Sequence, residues 1–161
     1  MKTIEEFTAA CQALGKNDAS LTELNLEEYD SLLDRERAQQ IIQALEKNTF
    51  VEDLTLSEDL CVNSTLQLNH FLKTSPSLQR LEMRGEEQHT NEDELKEAIK
   101  ASIVFESISR SNSLVKLTLR DVVLGEDCSL EGFLSSTRTL FEFTYFQSYS
   151  MMTHQVAQAI G

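Results

Sequence analysis

Proline and glycine are nearly missing from this chain: one proline, Pro76, and five glycines among 161 residues. No Pro-, Gly- or Ser-rich stretch and no low-complexity tract offers a linker, so a single domain over 1–161 is expected. Cysteine is also scarce. Cys11, Cys61 and Cys128 are an odd number without a short pair spacing. That excludes a self-contained disulfide framework and any Cys-x-x-Cys metal knuckle. They read as reduced thiols, with Cys61, in a strand-to-helix turn, the one open to reaction.

Basic charge is the third shortage. The 14 Lys and Arg face 27 Asp and Glu, for a net charge of −13 and a pI near 4.6. Phosphate contacts dominate affinity for nucleic acids and anionic surfaces, so this balance argues against both as partners. Long apolar runs are missing too, since none approaches the ~20 residues that span a bilayer. The start, from Met1 to Phe7, is acidic and amphipathic, unlike the basic and then apolar profile of a signal peptide. These absences predict an intracellular protein, cytoplasmic or else nuclear, with no membrane partner.

Catalytic signatures are lacking as well. There is no Gly-rich phosphate loop, nucleophile elbow or zinc-protease motif. His70, His89 and His154 fall in different segments, and none pairs with Cys, His, Asp or Glu at a metal-binding spacing. His89, near Glu86, Glu87 and Asp93, reads as a solvated loop histidine rather than a cation ligand. The expectation is a chain that is not an enzyme, with no catalytic residues, no metal site and no cofactor.

What the chain has instead is repetition. Five times a skeleton of the form Leu-x-x-Leu-x-Leu returns: Leu21–Leu24–Leu26, Val51–Leu54–Leu56, Leu78–Leu81–Met83, Leu114–Leu117–Leu119 and Leu140–Phe143–Tyr145. The middle anchors are separated by 30, 27, 36 and 26 residues, a period that signals stacked repeats. The last two anchors of each copy are two residues apart, which is strand spacing and puts both on one face. Each skeleton follows an amphipathic helical stretch, such as Ala38, Ile41, Ile42 and Leu45. From the last helical anchor to the first strand anchor the distance is six residues in four copies: Leu45 to Val51, Leu72 to Leu78, Ile108 to Leu114 and Leu134 to Leu140. The third unit carries an insertion, with 92–110 reading as a longer helix capped at Thr90 or Asn91.

On these residues the chain resembles leucine-rich repeat proteins of the ribonuclease-inhibitor-like kind. The run from Ala44 to Leu56 is similar to the helix-to-strand junction of tropomodulin and leiomodin repeats, and Ser111 to Leu117 repeats the theme. The likeness spans about 20–147. It implies an α/β fold, a curved leucine-rich repeat solenoid of about five strand–helix units. A parallel sheet lines the concave face and helices cover the convex face. Residues 1–19 form an N-terminal capping helix, with Phe7, Cys11 and Leu14 inward, that seals the open end of the first strand, and 20–161 form the repeats. The Asn that the family places three residues after the last strand anchor is replaced here by Tyr29, Asp59, Glu86, Val122 and Ser148.

Residues between anchors point to the open face of such a sheet. The position before the middle anchor reads Glu23, Asp53, Arg80, Lys116, Glu142; the one after it reads Asn25, Thr55, Glu82, Thr118, Thr144; the next outward one reads Glu27, Ser57, Arg84, Arg120, Phe146. The face is therefore acidic first, basic over the third and fourth repeats, and aromatic last. Arg80, Arg84, Lys116 and Arg120 form the sharpest constellation, with Arg80 beside Lys116 and Arg84 beside Arg120. Like charges opposite each other are mildly unfavourable, which suits a face awaiting an acidic partner. The competing reading is that Glu82 and Asp121 neutralise the patch.

Phe141 and Phe146 point outward from the last strand, with Tyr149, Met151 and Met152 close behind and a short helix at 154–160. They suit further repeats in a longer parent, self-association through this strand, or an anchor for a protein ligand. The function expected is protein–protein interaction, as a scaffold or adaptor using Glu23, Glu27, Asp53, Glu82, the basic quartet and the two aromatics. The resemblance adds two alternatives. One is a regulator of an enzyme or of actin filaments, in the manner of tropomodulin-like or GTPase-activator leucine-rich repeat proteins. The other is a structural fragment of a longer array.

Overall fold

A computed structural model describes residues 2–57, 60, 65–85, 101–122 and 129–146. In chain order the elements are α1 (Ile4–Gly15), β1 (Glu23–Asn25), a 3-10 helix (Glu27–Leu32), α2 (Arg35–Leu45), β2 (Asp53–Ser57), α3 (Thr65–Thr74), β3 (Arg80–Arg84), α4 (Ala101–Ser109), β4 (Lys116–Arg120), α5 (Leu130–Ser136) and β5 (Glu142–Phe146). The five strands form one sheet in sequence order, every pair parallel. Helices α1 to α5 make a second layer in which each packs on the next. This is the leucine-rich repeat architecture.

The register follows the anchors. Leu24, Leu54, Leu81, Leu117 and Phe143 lie in one line across the sheet, and Leu56, Met83, Leu119 and Tyr145 in another. All but Tyr145 are buried, against Ala38, Ile41, Ile42, Leu45, Leu68, Phe71, Leu72 and Ile108 of the helices. Burying each such aliphatic chain contributes about 1.5–3 kcal/mol. Tyr145 is half-buried and donates its hydroxyl to the Val122 carbonyl at 3.2 Å. At the C-terminal end the core is aromatic: Phe105 of α4 stacks on Phe133 of α5 with centroids 4.2 Å apart, and Phe133 meets Phe143 of β5 edge-on at 6.2 Å.

The regularity is built where each helix gives way to its strand. Three residues before the first anchor stands a small polar side chain that binds the turning backbone. Asp18 accepts from Ser20 N at 2.9 Å, and Asn48 from Phe50 N and Val51 N, both at 2.8 Å. Ser75 accepts from Leu78 N at 3.3 Å and Ser111 from Leu114 N at 3.2 Å. These are Asx and Ser/Thr turns. One residue before the anchor, Ser77, Ser113 and Thr139 donate hydroxyls to carbonyls of the preceding repeat, those of Val51, Ser75 and Ser111. The carbonyls of Thr22, Glu52, Gln79 and Val115 each accept two N–H groups from the next repeat, at 2.7–3.0 Å. Polar residues before the strand thus order the turn that enters it.

One expectation is met in its buried residues and one needs correction. Helix α1 does bury Phe7, Cys11 and Leu14 behind a capping box of Thr3 and Glu6. It packs beside α2 as the first member of the helical layer; among the described residues the outer edge of β1 pairs with no strand. Ser57 is not on the open face: it is buried, its Oγ accepting from Leu60 N at 3.4 Å as the chain leaves β2. Burial also pushes the Cys11 thiol up to about 11, an inert core position. Cys61, Cys128, His89, the cap at Thr90 or Asn91, the first part of the 92–110 helix, Tyr149, Met151, Met152 and the 154–160 helix lie outside the described residues.

Helix α1 ends in a left-handed residue, Asn17 at φ 55°. Asn17 N bonds Leu14 O and Asp18 N bonds Ala13 O, both at 3.0 Å, a Schellman pattern. The Asn17 amide also clasps Thr49, accepting from its N at 2.8 Å and donating to its Oγ1 at 3.1 Å. Asn17→Ala is expected to destabilise the chain by about 1–3 kcal/mol, losing both the clasp and the tolerance for this backbone. Asn17→Gly, which keeps the backbone, is expected to lose no more than about 1 kcal/mol. Chemical denaturation of the two variants separates the contributions.

Candidate functional face

Side chains between the anchors stand on the sheet surface opposite the helices. The register brings Glu23, Asp53, Arg80, Lys116 and Glu142 into one row across β1 to β5. A second row holds Arg84, Arg120 and Phe146. Glu27, which follows β1 in the 3-10 helix, reaches the same row from the side by bonding Arg84. Arg80 does stand beside Lys116, and Arg84 beside Arg120.

The like charges are drawn apart by carboxylates on either side. Arg80 turns toward β2 and grips both oxygens of Asp53 through Nε and Nη2. Lys116 turns the other way, to Glu142 at 2.7 Å. Arg84 bonds Glu82 at 2.7 Å and spans two strands to Glu27 at 2.6 Å. Arg120 shares the same Glu82 oxygen at 3.5 Å and places its guanidinium 5.7 Å from the centre of the Phe146 ring. The Asp53 hydrogen bond, then its charge, raises the Arg80 pKa further above its ordinary value, and the Glu82 hydrogen bond does the same for Arg84. Arg80 and Arg84 therefore stay charged at any physiological pH. Because these pairs are solvent-accessible, each contributes little to the stability of the fold.

The structure therefore gathers Glu23, Glu27, Asp53, Arg80, Glu82, Arg84, Lys116, Arg120 and Phe146 on one surface. Phe141 falls outside both rows. It lies where β5 begins, beside exposed Val115, and is 67% exposed. A shallow depression of roughly 190 Å³ runs across the middle strands, lined by Glu23, Asp53, Thr55, Arg80, Lys116 and Thr118 among others. Sequence reasoning placed the basic quartet but left Glu142 out of the site, although its row was legible from the spacing.

No family model and no curated protein matches the chain. Solved structures that share its fold include a tropomodulin and a leiomodin domain. The tropomodulin C-terminal domain of Caenorhabditis elegans superposes with a TM-score of 0.61 at 18% identity, over 91% of this chain and 85% of that one. Leiomodin-1 actin-binding site 2 superposes with a TM-score of 0.62 at 18% identity, over 90% of this chain and 80% of that one. Among the described residues no helix is long and apolar enough to cross a membrane.

Proposed function

We propose that this chain is a non-catalytic protein-binding module, a cytoplasmic scaffold or adaptor, that takes its partner on the open face of its sheet. The observation carrying this reading is that face. Five carboxylates and four basic groups stand across five strands, solvent-accessible and uncovered by any described element. A wide shallow surface suits a macromolecule better than a small molecule, which needs enclosure. The partner carries acidic groups over β3 and β4 and basic groups over β1 and β2. Affinity capture from lysate tests this with wild type and a variant carrying Arg80→Glu, Arg84→Glu, Lys116→Glu and Arg120→Glu. A salt-sensitive partner is expected to be lost from a variant that still gives a native circular dichroism spectrum. Identical capture by both chains would refute the reading.

A second reading, regulation of actin filaments, is favoured by the fold shared with an actin-binding site of leiomodin-1. Under it, the chain pellets with actin filaments or slows exchange at their ends, and the four-charge variant does so more weakly. Failure to do either at low salt removes the actin reading and leaves the scaffold one.

A further inference from the structure

Both rows of the open face pass from negative charge at β1 to positive charge at β3 and β4, and that order describes a partner. From β1 to β5 the first row reads Glu23, Asp53, Arg80, Lys116, Glu142: two negatives, two positives, one negative. The other runs from Glu27 past Arg84 and Arg120 to Phe146: negative, positive, positive, aromatic. The potential thus changes sign across the strands, along the axis of the solenoid.

Internal pairing leaves this pattern available. Arg80 commits Nε and one Nη to Asp53 and keeps three N–H groups free of Asp53. Lys116 gives Glu142 one of its three. Glu23 has no ion pair or side-chain hydrogen bond with any described residue. Between the rows, Thr55, Thr118 and Thr144 are short, and Glu82 is drawn aside by Arg84 and Arg120. The depression follows this low line across the strands.

Spacing then selects the partner's secondary structure. Adjacent strands are about 4.8 Å apart, close to the 5.4 Å rise of one α-helical turn. An extended chain repeats its same-side residues every ~6.6 Å and drifts a full strand out of step within three. Four inter-strand steps cover about 19 Å, and fourteen helical residues about 21 Å. Side chains at i, i+4, i+7, i+11 and i+14 of a helix can therefore address the five strands in turn.

We infer that the open face binds a partner α-helix laid across the strands, one turn per strand, with basic side chains over β1, β2 and β5 and acidic side chains over β3 and β4. This rests on the binding-face reading above and adds the chemistry of the occupant.

Two peptides of identical composition test it, each about 18 residues, Ala-rich and held helical by a staple on the far face. At the five turn positions one carries Lys, Lys, Glu, Glu, Lys and the other Lys, Glu, Lys, Glu, Lys. Binding is read by fluorescence anisotropy at about 50 mM salt, where screening is weak. Wild type is expected to bind the first at least about tenfold tighter. Exchanging the charges, Asp53→Arg with Arg80→Asp, preserves net charge and a β2–β3 ion pair but makes the row alternate in sign. That variant is expected to prefer the second peptide by a similar factor. Equal binding of both peptides by wild type overturns the inference. So does an unmoved preference in the exchange variant, or the absence of saturable binding to either peptide. If the exchange variant fails to fold, wild-type discrimination decides alone. A chain that loses its lysate partners on four-charge reversal yet ignores both peptides keeps the binding face and loses the helix, so the two failures are distinguishable.

Discussion

Phe133→Ala is expected to destabilise the protein by about 3–5 kcal/mol. Phe133 is buried, and its ring is the middle member of the stack from Phe105 to Phe143. Truncation removes the transfer free energy of the ring and opens a cavity between α4, α5 and β5. It also removes two aromatic contacts, each worth ~0.5–1.5 kcal/mol beyond area. Helix α5 has seven residues, too few to hold its shape without this anchor. Thermal denaturation should show the midpoint falling by on the order of 10 °C. Leu66→Ala is the contrast: Leu66 is 82% exposed on α3, and its removal should change stability by no more than ~0.5 kcal/mol. A Phe133→Ala midpoint as unmoved as that of Leu66→Ala would show that the aromatic stack contributes nothing to the fold.

The second large effect belongs to a polar residue. Asn48 is 2% exposed, and its Oδ1 takes two backbone N–H groups at the turn into β2. Asn48→Ala strands the buried Val51 donor, at about 1–3 kcal/mol, and the partly buried Phe50 donor at less, so a loss of roughly 2–4 kcal/mol is expected. The repeats supply their own rescue. Ser75 and Ser111 do the same work with a hydroxyl, and the Asn48 Nδ2 is buried without a partner among the described residues. Asn48→Ser removes that unsatisfied donor and retains an acceptor. Urea denaturation should place it within about 1 kcal/mol of wild type. Equal losses for Ala and Ser would show that volume, and not hydrogen bonding, governs the site.

The sheet and its register were legible because alternation leaves no freedom. Once Leu54 and Leu56 are assigned inward, Asp53 and Thr55 must point outward, and a shift by one residue would expose every anchor. The open-face rows follow from the same parity, which is why Arg80 and Lys116 were correctly set side by side. Which acid each base would choose was not legible. Arg84 to Glu27 is a contact across 57 residues of chain, set by side-chain reach and by the 3-10 helix that carries Glu27. Ser57 has the parity of an outward residue, yet its hydroxyl is drawn in to cap the turn at Leu60. The junction hydrogen bonds were present in the sequence as a column, Asp18, Asn48, Ser75, Ser111, three residues before each first anchor. They were missed because the expected polar residue was sought after the strand.

That junction has a consequence for how such an array tolerates change in length. The spacing between units varies from 26 to 36 residues, yet all five strands start in step. Each repeat takes its alignment from the carbonyl of the one before, through the paired bonds at Thr22, Glu52, Gln79 and Val115. The alignment is thus reset once per unit, like a clock corrected at every hour, and a misfit accumulated along a helix is not carried forward. Residues can be gained or lost on the helical side without moving one charge of the opposite surface out of phase with its neighbours.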